Sequence, residues 1–91
     1  MKTWNDYKQH VKAVDPAMGQ DIEEIEALSA IVSSIIQRRS ELGISQRTLA
    51  AKCNIPQSSV ARIESLRTTP KLDTLLKLMH PLGLTLQAVP A

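Results

Sequence analysis

The sequence predicts an all-α domain centred on two short helices joined by a tight turn, with an extra helix before it and a short β-strand after it. Three patterns carry that expectation. Ile22, Ile25, Leu28, Val32, Ile35 and Leu42 recur along one side of a long helix, with the spacing expected of a helical stripe. Two stretches of eight or nine residues, one led by Ser45 and one by Pro56, meet at Asn54. Leu84, Leu86 and Ala88 alternate with Thr85, Gln87 and Val89, which is the period of a strand.

The elements follow in order. Thr3 caps a first amphipathic helix, with Asp6 placed as in a capping box. Trp4, Tyr7, Val11 and Val14 form its stripe, and Asp15-Pro16 ends it, because a residue before proline is pushed out of the helical region. Gly19 extends the break. A second helix runs from about Asp21 to Leu42, with Ile31 and Ile36 widening its apolar side, acids in its first turn and Arg38 and Arg39 in its last. That charge order suits the helix dipole, and Gly43 supplies the left-handed residue that closes it.

Ser45 caps the next helix, Gln46 to Cys53, and Asn54 tolerates the left-handed conformation needed to reverse the chain. Ile55 plugs back into the core, and Pro56 is acceptable at a helix start, where an N–H has no intrahelical partner. The helix from about Gln57 to Ser65 buries Val60 and Ile63, leaving Gln57, Ser58, Ser59 and Arg62 outward. After the Thr68-Thr69-Pro70 linker, a helix from about Lys71 to His80 buries Leu72, Leu75, Leu76 and Met79, and Pro81 and Gly83 stop it. The strand over 84–89 has no partner within a helical chain. Pairing Leu84, Leu86 and Ala88 with their copies in a homodimer satisfies its backbone most simply.

Composition narrows the function. Ninety-one residues suit one modest core. No 18-residue apolar run offers a membrane span, and the N-terminus has no apolar signal core, so a cytosolic location is the default. Cys53 is the only cysteine, which excludes an internal disulfide and a cysteine-based zinc site; His10 and His80 lie far apart. No cofactor or metal is expected. Cys53 reads as a small core residue, Glu23, Glu24 and Glu26 as a solvated helix start, and three glycines form no phosphate loop, so an enzyme is not expected. Net charge is +2, but residues 21–43 carry −3 and residues 44–91 carry +4. Basic charge thus gathers on one half of the chain, as a face meeting phosphates requires.

Two short helices with a three- or four-residue turn are the helix-turn-helix layout. Its second helix enters a major groove roughly 12 Å wide while the first crosses the phosphate backbone. Gln57, Ser58 and Ser59 open the inserted helix with groups that pair with base edges, although polar residues are also ordinary helix-start chemistry. Arg62, one turn on, reaches a guanine or a phosphate. Gln46, Arg47, Lys52 and Lys71 are candidate phosphate contacts. The Trp4, Tyr7, Val11 and Val14 stripe either packs on the domain's own core or meets a protein partner.

Ile44-Ser45-Gln46-Arg47-Thr48-Leu49-Ala50, Ile55-Pro56-Gln57-Ser58-Ser59-Val60-Ala61-Arg62-Ile63-Glu64 and Pro70-Lys71-Leu72-Asp73-Thr74-Leu75 together resemble the Cro/C1-type (xenobiotic-response-element) helix-turn-helix family over about residues 31–83. The resemblance implies a five-helix, lambda-repressor-like DNA-binding fold. It also implies phosphate contact at Gln46, base-facing positions at Gln57, Ser58, Ser59 and Arg62, and a structural role for Glu64 through a bond to a nearby arginine or a backbone amide. Two residues depart from the family pattern. Leu66 stands where glycine is usual after the recognition helix, and Pro56 replaces the usual serine or threonine cap. The flanks are similar to HigA- and HipB-like antitoxins, which implies a dimeric repressor of its own operon that also neutralises a toxin. On this reading residues 1–20 are an extension, 21–83 the DNA-binding domain and 84–91 the pairing strand. The partners are double-stranded DNA bearing an inverted repeat, a second copy and a toxin docking on the aromatic stripe. A stand-alone regulator, and an interaction module that does not bind DNA, are the alternatives.

Overall fold

The computed structural model describes Trp4, residues 6–8 and residues 16–90. The chain divides into two compact units, Met1–Ile31 and Val32–Ala91. From Pro16 onward, regular structure among the described residues comprises α1 (Pro16–Glu41), α2 (Gln46–Cys53), α3 (Gln57–Glu64), α4 (Leu72–Met79) and a 3₁₀ turn, His80–Leu82. Among the described residues every regular element is helical, which agrees with the expected helices and departs from the strand expected over 84–89.

In the first unit, Trp4 and residues 6–8 are helical. The rings of Trp4 and Tyr7 lie 5.5 Å apart at a 30° tilt, and both are about half exposed. Lys8 Nζ reaches Glu26 Oε1 at 3.2 Å. Ile22 is buried, whereas Ile25, expected on the same stripe, is 63% exposed. Val11 and Val14 lie outside the described residues.

Helix α1 starts at Pro16, five residues before the expected Asp21, and runs through Gly19. Proline belongs at a first helical position because its missing N–H is one no helix would use there. A single glycine inside a 26-residue helix costs about 1 kcal/mol, too little to stop it.

The core of the second unit gathers Val32 and Ile35 of α1, Leu49 and Ala50 of α2, Val60 and Ile63 of α3, Leu75, Leu78 and Met79 of α4, and Leu82. Leu72 and Leu76, expected inside, are 60% and 47% exposed, and Leu42 is also largely exposed. Helix α4 instead buries Leu75, Leu78, Met79 and then Leu82, a stripe at i, i+3, i+4 and i+7. With leucine on two faces of one short helix, periodicity does not choose between the stripes; the packing partners do.

Four turns in this unit share one hydrogen-bond pattern, a 6→1 bond enclosing a 5→2 bond around a left-handed residue. At Gly43 the bonds are Ile44 N to Arg39 O and Gly43 N to Ser40 O, both 3.0 Å. At Asn54 they are Ile55 N to Ala50 O (3.0 Å) and Asn54 N to Ala51 O (3.3 Å). Leu66 repeats them through Arg67 N to Arg62 O (3.0 Å) and Leu66 N to Ile63 O (3.1 Å), and Gly83 through Leu84 N to Met79 O and its own N–H to His80 O. Asn54 thus reverses the chain as expected, with φ 56°.

The expected C-terminal strand is not present. Residues 84–90 carry neither helix nor strand. A strand exists only through a hydrogen-bonded neighbour, and the described residues of this helical unit offer no sheet edge to supply one.

Candidate nucleic-acid interface

Ser45 caps α2 as expected, its Oγ accepting from Thr48 N at 3.0 Å. Pro56 occupies the cap position of α3 in an extended conformation (φ −64°, ψ 145°) and contributes no side-chain bond. The helix begins at Gln57, so replacing the usual hydroxyl residue by proline leaves the start of α3 in register and its first turn without a side-chain cap. Val60 and Ile63 seat α3 on the core. Gln57, Ser58 and Arg62 are exposed and Ser59 is half-buried.

A chain of polar contacts crosses behind this helix. Arg39 holds Glu64 by a two-pronged pair, Nε to Oε2 and Nη2 to Oε1, each 2.8 Å. Its remaining nitrogen, Nη1, donates to the Ile44 carbonyl at 3.0 Å. Gln46 Nε2 donates to Glu64 Oε1 at 2.9 Å, and Gln57 Nε2 donates to Gln46 Oε1 at 2.9 Å. The direction of the chain is chemically fixed. An ionised carboxylate only accepts, so Gln46 must present its amino group to Glu64, which leaves its carbonyl to accept from Gln57. The Glu64 side chain is only 6% exposed. The bond to Glu64 raises the Arg39 pKa above its ordinary value, against the opposing effect of burial and with further help from the carboxylate charge.

This arrangement links the C-terminal end of α3 through α2 to the first residue of α3. It places Gln46 differently from a free phosphate donor, because the carboxamide is engaged at both ends and one N–H remains. Arg39, read in the sequence only as a complement to the helix dipole, is the anchor. The available signal was Glu64, an acid at the end of an otherwise basic helix pair. Arg38 is likewise a cross-link, its Nε donating to the Leu82 carbonyl at 2.9 Å.

The remaining predicted cations lie on the surface. Arg47 and Lys52 are exposed on α2, and Lys71 is exposed at the cap position of α4. Beside Lys52, the Cys53 thiol donates to the Lys77 carbonyl at 3.1 Å. Burial raises its pKa, partly offset by the Lys77 charge, so the neutral thiol predominates at neutral pH. Among the described residues, no three His, Cys, Asp or Glu side chains cluster as metal ligands. No described helix is long and apolar enough to cross a membrane.

With two helices meeting at a left-handed Asn54 and the second carrying an exposed polar N-terminus, likeness to known proteins decides the family. The helix-turn-helix family model matches residues 35–89. The chain belongs to the helix-turn-helix family. Its sequence is of the Cro/C1 type. This helix-turn-helix protein is 39% identical over 87 residues to an uncharacterised helix-turn-helix-type transcriptional regulator of Haemophilus influenzae, covering 96% of this chain and 84% of the relative. A chain of a solved toxin–antitoxin module from Streptococcus pneumoniae matches it with a TM-score of 0.76 at 35% identity, over 100% of this chain and 96% of that one.

Proposed function

We propose that this protein is a sequence-specific DNA-binding repressor that acts in the cytoplasm as the antitoxin of a toxin–antitoxin pair. The observation that carries the DNA-binding part is the Gln57–Gln46–Glu64–Arg39 chain. It restrains the first residue of α3 before any ligand arrives, and a base-reading side chain held in advance loses less conformational freedom on binding. Gln57, Ser58 and Ser59 meet base edges, and Arg62, one turn on, meets a guanine or a phosphate. Arg47, Lys52, Lys71 and the remaining Gln46 N–H meet phosphates.

Two copies read an inverted repeat, pairing through Leu84, Leu86 and Ala88, with half-sites about one helical turn, roughly 34–36 Å, apart. Leu86 and Ala88 are exposed in the single chain, as a pairing surface requires. The Trp4 and Tyr7 rings, also exposed, begin a toxin-docking stripe that continues through Val11 and Val14 in the sequence. The likeness to a toxin–antitoxin module supports this part. The Haemophilus influenzae relative is described only as a transcriptional regulator, which favours a stand-alone regulator as the second reading. Co-expression with the product of the adjacent gene, followed by co-purification, separates the two.

The test of DNA binding is fluorescence anisotropy on duplex from upstream of the coding sequence, against a scrambled duplex. The wild type should prefer the first. Gln57→Ala should lose about 1–3 kcal/mol on that duplex and little on the scrambled one. Equal binding to both by the wild type removes autoregulation, and no binding to either at low salt removes the DNA-binding reading.

A further inference from the structure

Beyond the C-terminal end of α3 lies a second basic feature. Ala61, Arg62, Ser65 and Arg67 line a concavity of about 250 Å³. This lies below the roughly 300–1,000 Å³ of drug-sized ligand sites and suits a single small group. The left-handed turn at Leu66 builds it, because the Arg67 N–H returns to the Arg62 carbonyl at 3.0 Å and brings the two arginines to one rim. Ala61 adds only a methyl group to the lining. The Ser65 hydroxyl donates to the Arg62 carbonyl at 3.2 Å, so the donors left for a ligand are the two guanidiniums.

Among the described residues, neither Arg62 nor Arg67 forms an ion pair, and both are exposed. The neighbouring acid, Glu64, is committed to Arg39 and Gln46 on the buried side. Two cations facing one hollow repel each other unless an anion sits between them. The helix dipole accounts for Arg62 in the last turn but not for Arg67 beyond the turn.

We propose that Arg62 and Arg67 form a two-arginine clamp on one DNA phosphodiester, and that Arg62 therefore contributes affinity rather than base discrimination. The clamp deepens the DNA-binding reading above and depends on it for its ligand. Guanidinium forks match the geometry of phosphate oxygens and bind them in pairs. The hollow also lies at the opposite end of α3 from Gln57, whose end of a recognition helix is the one that reads bases.

Anisotropy with the upstream and scrambled duplexes between about 50 and 200 mM salt tests the clamp. Arg62→Ala and Arg67→Ala should each weaken binding to both duplexes by the same factor, on the order of tenfold, and make the salt dependence shallower. The double variant should be little worse than either single one, because both groups hold one phosphate. Circular dichroism melting should leave both variants at the wild-type temperature. Loss of discrimination in Arg62→Ala with an unchanged salt slope, or no effect of Arg67→Ala, overturns the clamp while leaving DNA binding in place. A wild type that binds no duplex overturns the DNA-binding reading instead. The clamp is then judged by titrating inorganic phosphate and following the arginine Nε–H resonances. Those of Arg62 and Arg67 should shift together and saturate, unlike that of Arg47; independent or absent shifts overturn it.

Discussion

Arg39 and Arg62 are the same residue type, each near one end of a helix, and the structure uses them in opposite ways. Arg39 is 17% exposed and spends its guanidinium on Glu64 and the Ile44 carbonyl. Arg62 is exposed and touches no acid among the described residues. The chain places an acid beside Arg39 and, among the described residues, pairs none with Arg62. Residue type gives the charge, and only the partner gives the role.

Removing the shared acid is the hardest way to break this contrast. Glu64→Ala leaves Arg39 partly buried without its counter-charge and frees Gln46, which should destabilise the fold by about 3 kcal/mol. For a domain of this size that lowers Tm by roughly 12–24 °C. Glu64→Gln keeps the volume and one acceptor oxygen and should recover part of the loss. Thermal melting followed by circular dichroism reads both. A loss below about 1 kcal/mol in Glu64→Ala would mean that the polar chain behind α3 adds little to the stability, against the cost expected for a broken buried pair. A smaller effect comes from Arg39→Lys, which keeps the charge and gives up the fork. It should cost about 1–2 kcal/mol, since lysine replaces three directed bonds by a single point charge.

The helix pair was legible in the sequence because its signals are local. Ser45 as cap, Asn54 as turn and Pro56 as helix start each act within a few residues of their own position, and the structure has them at those positions. What was not legible depends on neighbours distant in sequence. The 25-residue separation between Arg39 and Glu64 hides their pairing from any periodic pattern. The choice between Leu72 and Leu78 as the buried leucine of α4 is set by α2 and the 3₁₀ turn rather than by α4. The strand over 84–89 failed for a related reason. Alternation is a necessary sign of a half-buried strand, but a strand also needs an edge to pair with, and none lies among the described residues.

The turn that sets up the Arg62–Arg67 rim permits a finer test. Gly43, Asn54 and Leu66 close their helices with the same hydrogen bonds at φ 67°, 56° and 60°, yet only the first two are residues that visit this region at little cost. A Cβ in the left-handed region costs roughly 1–2 kcal/mol. Glycine returns about 0.5–1 kcal/mol of that through its greater freedom in the unfolded chain. The Leu66 side chain is 44% exposed, so removing it uncovers only a modest apolar area. Leu66→Gly should therefore stabilise the protein by about 0.5 kcal/mol, raising Tm by roughly 2–4 °C. The reciprocal change, Gly43→Leu, should lower Tm, although a Cβ there meets no atom within 4 Å, because the cost lies in the backbone rather than in a clash. If Leu66→Gly melts below the wild type, the leucine is kept for its packing. If it melts above, the strain is real, and DNA affinity in the same variant shows whether a stiff turn is needed to hold Arg67 beside Arg62.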